Sequence, residues 1–376
     1  MPSHLPGAAP LANDFVLRAP DYRPGDAAVH TRDAVRLCSN ENPYGDAQRL
    51  RELWSRAADL HIGHYPDNGY PALHQALARL HGLAPDHVLV GNGSSELLTL
   101  VARAYLGPGR TAVRSSDSFA LFSVVSRLVG AEVAEVPSVR YGHDAGALAA
   151  ASARAQVLFI DNPCNPTGRY LPAAEVEALL RATPRSVLVV VDEAYAEYVT
   201  APDYGSCTGL VGEFPNLLIV RTLSKAYGLA GLRVGYCIGS PAVLRMLERL
   251  RPPFSVNSFA AQVALAALAD QRFVADCRTR NEAERRRIES HPRVAACLAA
   301  PGCANFVFLH SPHAARLHAR LKEHGVHVLA FPDAPSYLRV TVGTREENQR
   351  FLDAFEAAAR DLDRPHTRHP EHKEQP

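Results

Sequence analysis

Val187-Leu188-Val189-Val190-Val191-Asp192-Glu193 is an unbroken apolar run that stops on two acids. Leu217-Leu218-Ile219-Val220-Arg221-Thr222-Leu223-Ser224-Lys225 repeats the pattern and ends on a lysine. A strand with one wet face alternates apolar and polar residues, whereas one that is apolar throughout is covered on both faces. Similar runs occupy 88–90, 111–113, 157–160 and 234–238. Helical patterns lie between several of them, among them 94–106 and 173–181, the second opened by Pro172. Strands that alternate with helices imply an α/β domain around a mostly parallel sheet.

Beyond Pro252-Pro253 the pattern changes. An Ala- and Arg-rich stretch over 259–289 reads as helix. Short strands at 305–309, 326–329 and 337–342 and helices at 314–322 and 346–360 then suggest a smaller α+β domain. The start of the chain is rich in Pro, Ala and Gly and reads as an irregular arm. The end is polar and rich in His and Pro. The expected division is therefore 1–36 arm, 37–255 large domain, 256–360 small domain and 361–376 disordered tail. In that tail His366, His369 and His372 read as solvated side chains rather than metal ligands.

Bulk properties narrow the function. A chain of 376 residues with 47% apolar content suits about two domains with a real core. The formal net charge of +1, from 40 basic and 39 acidic residues, argues against nucleic acid or an acidic membrane as partner. The seven cysteines are scattered and form no C-x-x-C pair, so neither a disulfide framework nor a zinc site is expected. The first ten residues lack the organisation of a signal peptide, and no apolar run would span a bilayer. A soluble cytoplasmic protein without a metal is expected.

Polar groups gather just after the apolar runs, and in open α/β sheets that edge is where ligands bind. Lys225 sits among small and hydroxyl residues, with Ser224 and Arg233 able to reach a phosphate. A sheltered lysine near other cations loses its proton and forms Schiff bases; a surface lysine is the plain alternative. Asp192 ends a valine run and suits a partner for a protonated ring nitrogen, or simply a helix N-cap. Tyr195, three residues on, could meet a ring oxygen or lie in the core. Asn165, in Asn162-Pro163-Cys164-Asn165-Pro166-Thr167-Gly168, could offer its amide to the same oxygen, or mark only a turn. Cys164 reads as a bystander, because nothing near it in sequence supplies a base. Gly91-Asn92-Gly93-Ser94-Ser95-Glu96 would cradle a phosphate on backbone N–H groups. It lacks the third glycine of a dinucleotide loop, which disfavours a nicotinamide dehydrogenase. Arg339, inside an apolar strand, needs an anion, either a substrate carboxylate or phosphate or a structural salt bridge.

Taken in order, these segments resemble the class I/II aminotransferases of fold type I, and among them most the histidinol-phosphate aminotransferases. The resemblance runs from about Tyr22 to Phe355. It also draws on Asn40-Glu41-Asn42-Pro43-Tyr44-Gly45, Tyr65-Pro66-Asp67 and Ala304-Asn305-Phe306. It implies pyridoxal 5'-phosphate (PLP) as cofactor, held by Lys225, with Asp192 at the pyridine nitrogen and Asn165 and Tyr195 at the phenolic oxygen. Phe119 would stack on the ring. Ser94, Ser95, Thr222, Ser224 and Arg233 would hold the phosphate. Tyr65 would reach that phosphate from a second subunit of a homodimer. Arg339 would bind the substrate, with Tyr22 and Asn40 in segments that close over it. The reaction implied is amino transfer from histidinol phosphate or an aromatic amino acid to a 2-oxo acid, such as 2-oxoglutarate. A threonine-phosphate-type decarboxylase, or a non-catalytic protein on the same fold, is the alternative. Two positions depart from the family pattern. Ser95 stands for the usual Asp, and Leu329 for an arginine that helps hold the substrate phosphate. An apolar or aromatic donor tolerates Leu329 better.

Overall fold

The structure is a computed structural model and describes residues 13–20, 33–45, 47–56, 60–61 and 63–363. Twelve strands form two sheets among the described residues. The strands are β1 (Val35–Leu37), β2 (Val88–Gly91), β3 (Thr111–Ser115), β4 (Glu132–Val136), β5 (Val157–Asp161), β6 (Leu188–Asp192), β7 (Leu217–Thr222), β8 (Gly235–Gly239), β9 (Leu298–Ala300), β10 (Phe306–His310), β11 (Val326–Ala330) and β12 (Tyr337–Thr341).

The larger sheet runs β2-β8-β7-β6-β5-β3-β4. Its pairs are parallel except those made by β8, which is antiparallel to both β2 and β7. Its unbroken apolar strands are explained by two separate cores. Val189, Val191, Ile219 and Ile238 pack into one, and Leu188, Val190, Leu218 and Val220 into the other. Because strand side chains alternate, a strand with helices on both sides must be apolar at every position. Strand β4 was not expected. It lies at the sheet edge, where Glu132 and Glu135 face solvent and interrupt its apolar pattern.

The smaller sheet runs β1-β11-β12-β10-β9 around its own core of Val307, Leu309, Val326, Val340, Phe351 and Phe355. Two expectations need correction. The arm to residue 36 is not wholly irregular. Asp14–Arg18 is a short helix, and Val35–Leu37 is a strand parallel to β11, nearly 300 residues away in sequence. The helix expected over 259–289 is two, Ser258–Leu268 and Gln271–Glu289. Asp270 ends the continuity by accepting the Phe273 N–H at 3.1 Å, an N-cap that starts a new helix. The first of the two packs on the larger sheet's core through Ala260, Val263 and Ala264. The last helix, Arg345–Asp363, runs three residues beyond its expected end.

Sheet register sets up the site. Asp161 lies opposite Asp192, and Gly235 lies opposite both Gly91 and Thr222. Since β8 runs antiparallel, its first residue meets the last residues of its neighbours. All these groups therefore share one edge, the carboxyl edge of the parallel strands.

Candidate active site

Lys225 follows β7 and is largely buried. Its Nζ donates to the Ser39 carbonyl at 3.1 Å. Burial lowers its pKa to about 8, and the charges of Arg339 and Arg233 push the same way. Asp192, 4% exposed at the end of β6, is displaced oppositely. Burial, then the neighbouring Asp161, raises its carboxyl to about 7, although Oδ1 accepts the Ala194 N–H at 3.0 Å. That bond closes a turn two residues on, whereas the next helical turn, Ala196–Tyr198, has Tyr195 at its N-cap, so Asp192 is not a helix N-cap. Lys225 and Asp192 thus stand at one sheet edge with pKa values drawn toward each other by burial.

The phosphate-type loop is shaped by close approach. Gly93 has φ +79°, and a Cβ there would lie 2.5 Å from Arg233 Nη2. A Cβ on Gly235 would lie 2.6 Å from Gly93 C and Ser94 N. Only glycine allows β8 and the guanidinium to approach the loop this closely. Ser94 and Ser95 occupy the first turn of helix Gly93–Tyr105, where N–H groups have no helical partner. Glu96 accepts the Asn92 N–H at 2.6 Å and secures that helix start. Arg233 reaches Ser224 Oγ at 3.4 Å, and Thr222 Oγ1 accepts the Ser224 N–H at 3.1 Å. The expected phosphate set is therefore contiguous.

Asn165 and Phe119 are tied together by a residue given no role from the sequence. Asp161 Oδ2 accepts the Asn165 N–H at 2.6 Å and the Phe119 N–H at 3.1 Å. It ends an apolar strand as Asp192 does, and that signal was available. Behind it lies His143, bonded through Nδ1 to Ser115 Oγ and through Nε2 to the Asp161 carbonyl, both at 2.8 Å. Burial opposes charge on His143, but Cys164 and Asp161 beside it raise its pKa well above the ordinary value. A lone histidine in a loop carries no sequence signal of such a role. Cys164 thus has a base beside it in space, which its sequence neighbours did not suggest. Burial nevertheless pushes its thiol up, away from nucleophilic use.

Arg339, on β12 of the smaller sheet, donates to Asn165 Oδ1 and, at 3.0 Å, to the Cys38 carbonyl. The arginine is 7% exposed and lies opposite Leu329 in the β11–β12 register. Since Asn165 Oδ1 accepts from Arg339, its Nδ2 hydrogens face elsewhere. Asn40 donates to Tyr195 Oη at 2.9 Å, and Asn42 to the Ala226 carbonyl at 2.8 Å, beside Lys225. The segment after β1 therefore closes the site from the side of the smaller sheet. Tyr65 stands apart, 82% exposed and stacked on Phe254 at 4.5 Å. Tyr22 lies outside the described residues.

Residues 32–355 match the family described as aminotransferase class I and II. A histidinol-phosphate aminotransferase of Pseudomonas fluorescens is 43% identical over 358 residues, covering 92% of this chain and 96% of the relative. One from Methylobacillus flagellatus is 42% identical over 324 residues, 86% of this chain and 88% of its own. Among solved structures, histidinol-phosphate aminotransferase from Sinorhizobium meliloti in complex with pyridoxal-5'-phosphate is similar at TM-score 0.85. It is 27% identical, with 95% and 99% of the two chains covered.

Proposed function

The chain belongs to the class I and II aminotransferases, PLP-dependent enzymes, and from that premise we propose how its own residues carry the transfer. The donor set fits the cofactor. A glycine cradle that a Cβ would fill lies under Arg233, a buried carboxylate stands at Asp192, and a lysine of lowered pKa lies between them.

Lys225 would bond the cofactor's carbonyl carbon, with Asp192 at the pyridine nitrogen and Asn165 and Tyr195 at the phenolic oxygen. Phe119 would cover the ring face. Ser94, Ser95, Thr222, Ser224 and Arg233 would take the phosphate. When bound, PLP supplies an electron sink that acidifies the substrate's Cα–H. The protein then has to bind, orient and move one proton. Arg339 receives the acidic group of the substrate in a water-poor pocket where charge is worth more than in solvent. Lys225 Nζ takes the Cα proton and later returns it, general base and then acid. A pKa of about 8 leaves a usable neutral fraction near neutrality. Asp192 would keep its negative charge beside the protonated ring nitrogen, whose positive charge offsets the burial that raises its carboxyl in the cofactor-free chain.

The observation that carries this reading is that Lys225, Asp192 and Asn165 follow strands at one edge of the larger sheet and Arg339 reaches Asn165 from the smaller one. We take the acceptor to be a 2-oxo acid, such as 2-oxoglutarate, and the donor to be histidinol phosphate, as the relatives' names support. Leu329, opposite Arg339, favours a second reading in which an aromatic amino acid is the donor. The relatives' names favour neither decarboxylation nor a non-catalytic role. We also propose a cytoplasmic homodimer. The seven free cysteines suit a reducing compartment, and the stacked, exposed Tyr65 and Phe254 suit a partner copy. Among the described residues no helix is long and apolar enough to cross a membrane.

The test mixes PLP-loaded protein with histidinol phosphate, or with phenylalanine, without an acceptor, and follows the loss of bound-cofactor absorbance. Conversion by histidinol phosphate alone supports the first donor, and by phenylalanine alone the second. Lys225→Ala should abolish turnover; sustained multiple turnover in that variant would sink the assignment.

A further inference from the structure

Thr341, the last residue of β12, is 2% exposed and has no part in the steps above. Its Oγ1 accepts the Asn40 backbone N–H at 2.9 Å and lies 3.2 Å from Asn40 Oδ1. A backbone N–H can only donate, so the hydroxyl's own hydrogen is available for Oδ1. With the hydroxyl hydrogen on Oδ1, the Asn40 amide has its oxygen toward Thr341 and its nitrogen toward Tyr195, the arrangement the proposal takes as its premise. Nδ2 then faces Tyr195 and donates to its Oη at 2.9 Å. The phenol's hydrogen is turned away from Asn40. Asn40 itself is gripped by its left-handed φ of +53° and by Asn305 Nδ2, which donates to its carbonyl at 3.0 Å.

We propose that Thr341 is a positioning residue which, through the orientation of the Asn40 amide, makes Tyr195 a hydrogen-bond donor toward the phenolic oxygen of PLP. The proposal rests on the reading that Tyr195 meets that oxygen. Without the hydroxyl, the Asn40 amide can turn over and present Oδ1 to Tyr195. The phenol would then donate to Asn40 instead of to the cofactor. Around Tyr195, Lys225, with Nζ 5.8 Å from the ring centre, and Phe306, edge-on at 5.2 Å, stay in place, and Asp192 ends the strand three residues before it.

The experiment titrates the visible absorbance of the PLP-loaded, substrate-free protein against pH. It compares the wild type with Thr341→Val, Thr341→Ser, Tyr195→Phe and the double variant Thr341→Val/Tyr195→Phe. A donor to the phenolic oxygen stabilises its negative charge and lowers the midpoint at which the bound cofactor loses its proton. Redirecting one neutral hydrogen bond should raise that midpoint by about half to one pH unit. The expected pattern is a rise in Thr341→Val, return to the wild-type value in Thr341→Ser, a rise at least as large in Tyr195→Phe, and no further rise in the double variant. A rise in Tyr195→Phe without one in Thr341→Val overturns the relay and leaves the site reading intact. No change in Tyr195→Phe removes the role of Tyr195 and the proposal with it. A Thr341→Val shift that persists in the Tyr195→Phe background shows another route and also overturns the relay. Should Thr341→Val fail to accumulate folded, Thr341→Ala is read by the same criteria.

Discussion

Gly235→Ala probes the phosphate cradle without touching a charge. Its Cβ would sit 2.6 Å from both Gly93 C and Ser94 N, and 3.0 Å from Gly93 Cα. These are backbone atoms, so no rotamer change relieves the overlap; either β8 or the helix start must move. Overpacking of this kind costs about 1–3 kcal/mol. In a chain of 376 residues that is roughly 1–4 °C in melting temperature of the cofactor-free protein. The moved atoms include the N–H groups of the first helical turn. Losing one charge-assisted hydrogen bond to a phosphate, worth about 1.5–3 kcal/mol, should weaken PLP binding roughly ten- to hundredfold. Absorbance titration of cofactor-free protein with PLP measures the affinity, and thermal melting the stability. Gly231→Ala is the control, because nothing lies within 4 Å of its Cβ position. If Gly235→Ala matches the control in both measurements, the argument from close approach is wrong.

Two further outcomes follow from charge. Asp192 has a folded-state pKa near 7, above its ordinary 3.8, so the folded cofactor-free chain keeps a proton that the unfolded chain releases. Its contribution to stability is present below about pH 4 and is lost as pH rises to 7. Urea midpoints of the wild type should therefore fall relative to Asp192→Asn between pH 5 and 7, and parallel curves would refute the raised pKa. Leu329→Arg should shift preference from phenylalanine to histidinol phosphate by about ten- to hundredfold in relative affinity. An unchanged ratio would mean that position 329 does not face the donor's phosphate.

Much of the site was legible along the chain because of how sheets bury their strands. A strand covered on both faces is apolar along most of its length, so the polar residues that follow each run, Asp192 directly and Asn165 and Lys225 within five residues, point to the edge where a site can form. The same rule pointed to Asp161, but its task of holding both Asn165 and Phe119 appeared only once the two N–H groups were seen on one carboxylate oxygen. Strand β4 escaped because an edge strand is not required to be apolar.

Sequence by itself determined the alternation of buried strands and helices, the edge at which polar groups collect, and the family whose cofactor those groups suit. These are local periodicities and short motifs, carried by neighbouring residues. Tertiary structure alone decided which distant residues complete them. The parallel pairing of Val35–Leu37 with β11, the reach of Arg339 from the smaller sheet to Asn165, and the grip of Thr341 on Asn40 all join residues far apart in the chain. No local pattern specifies such contacts. They follow from the packing of the two sheets, which also makes the pocket dry enough to draw the pKa values of Lys225 and Asp192 toward neutrality.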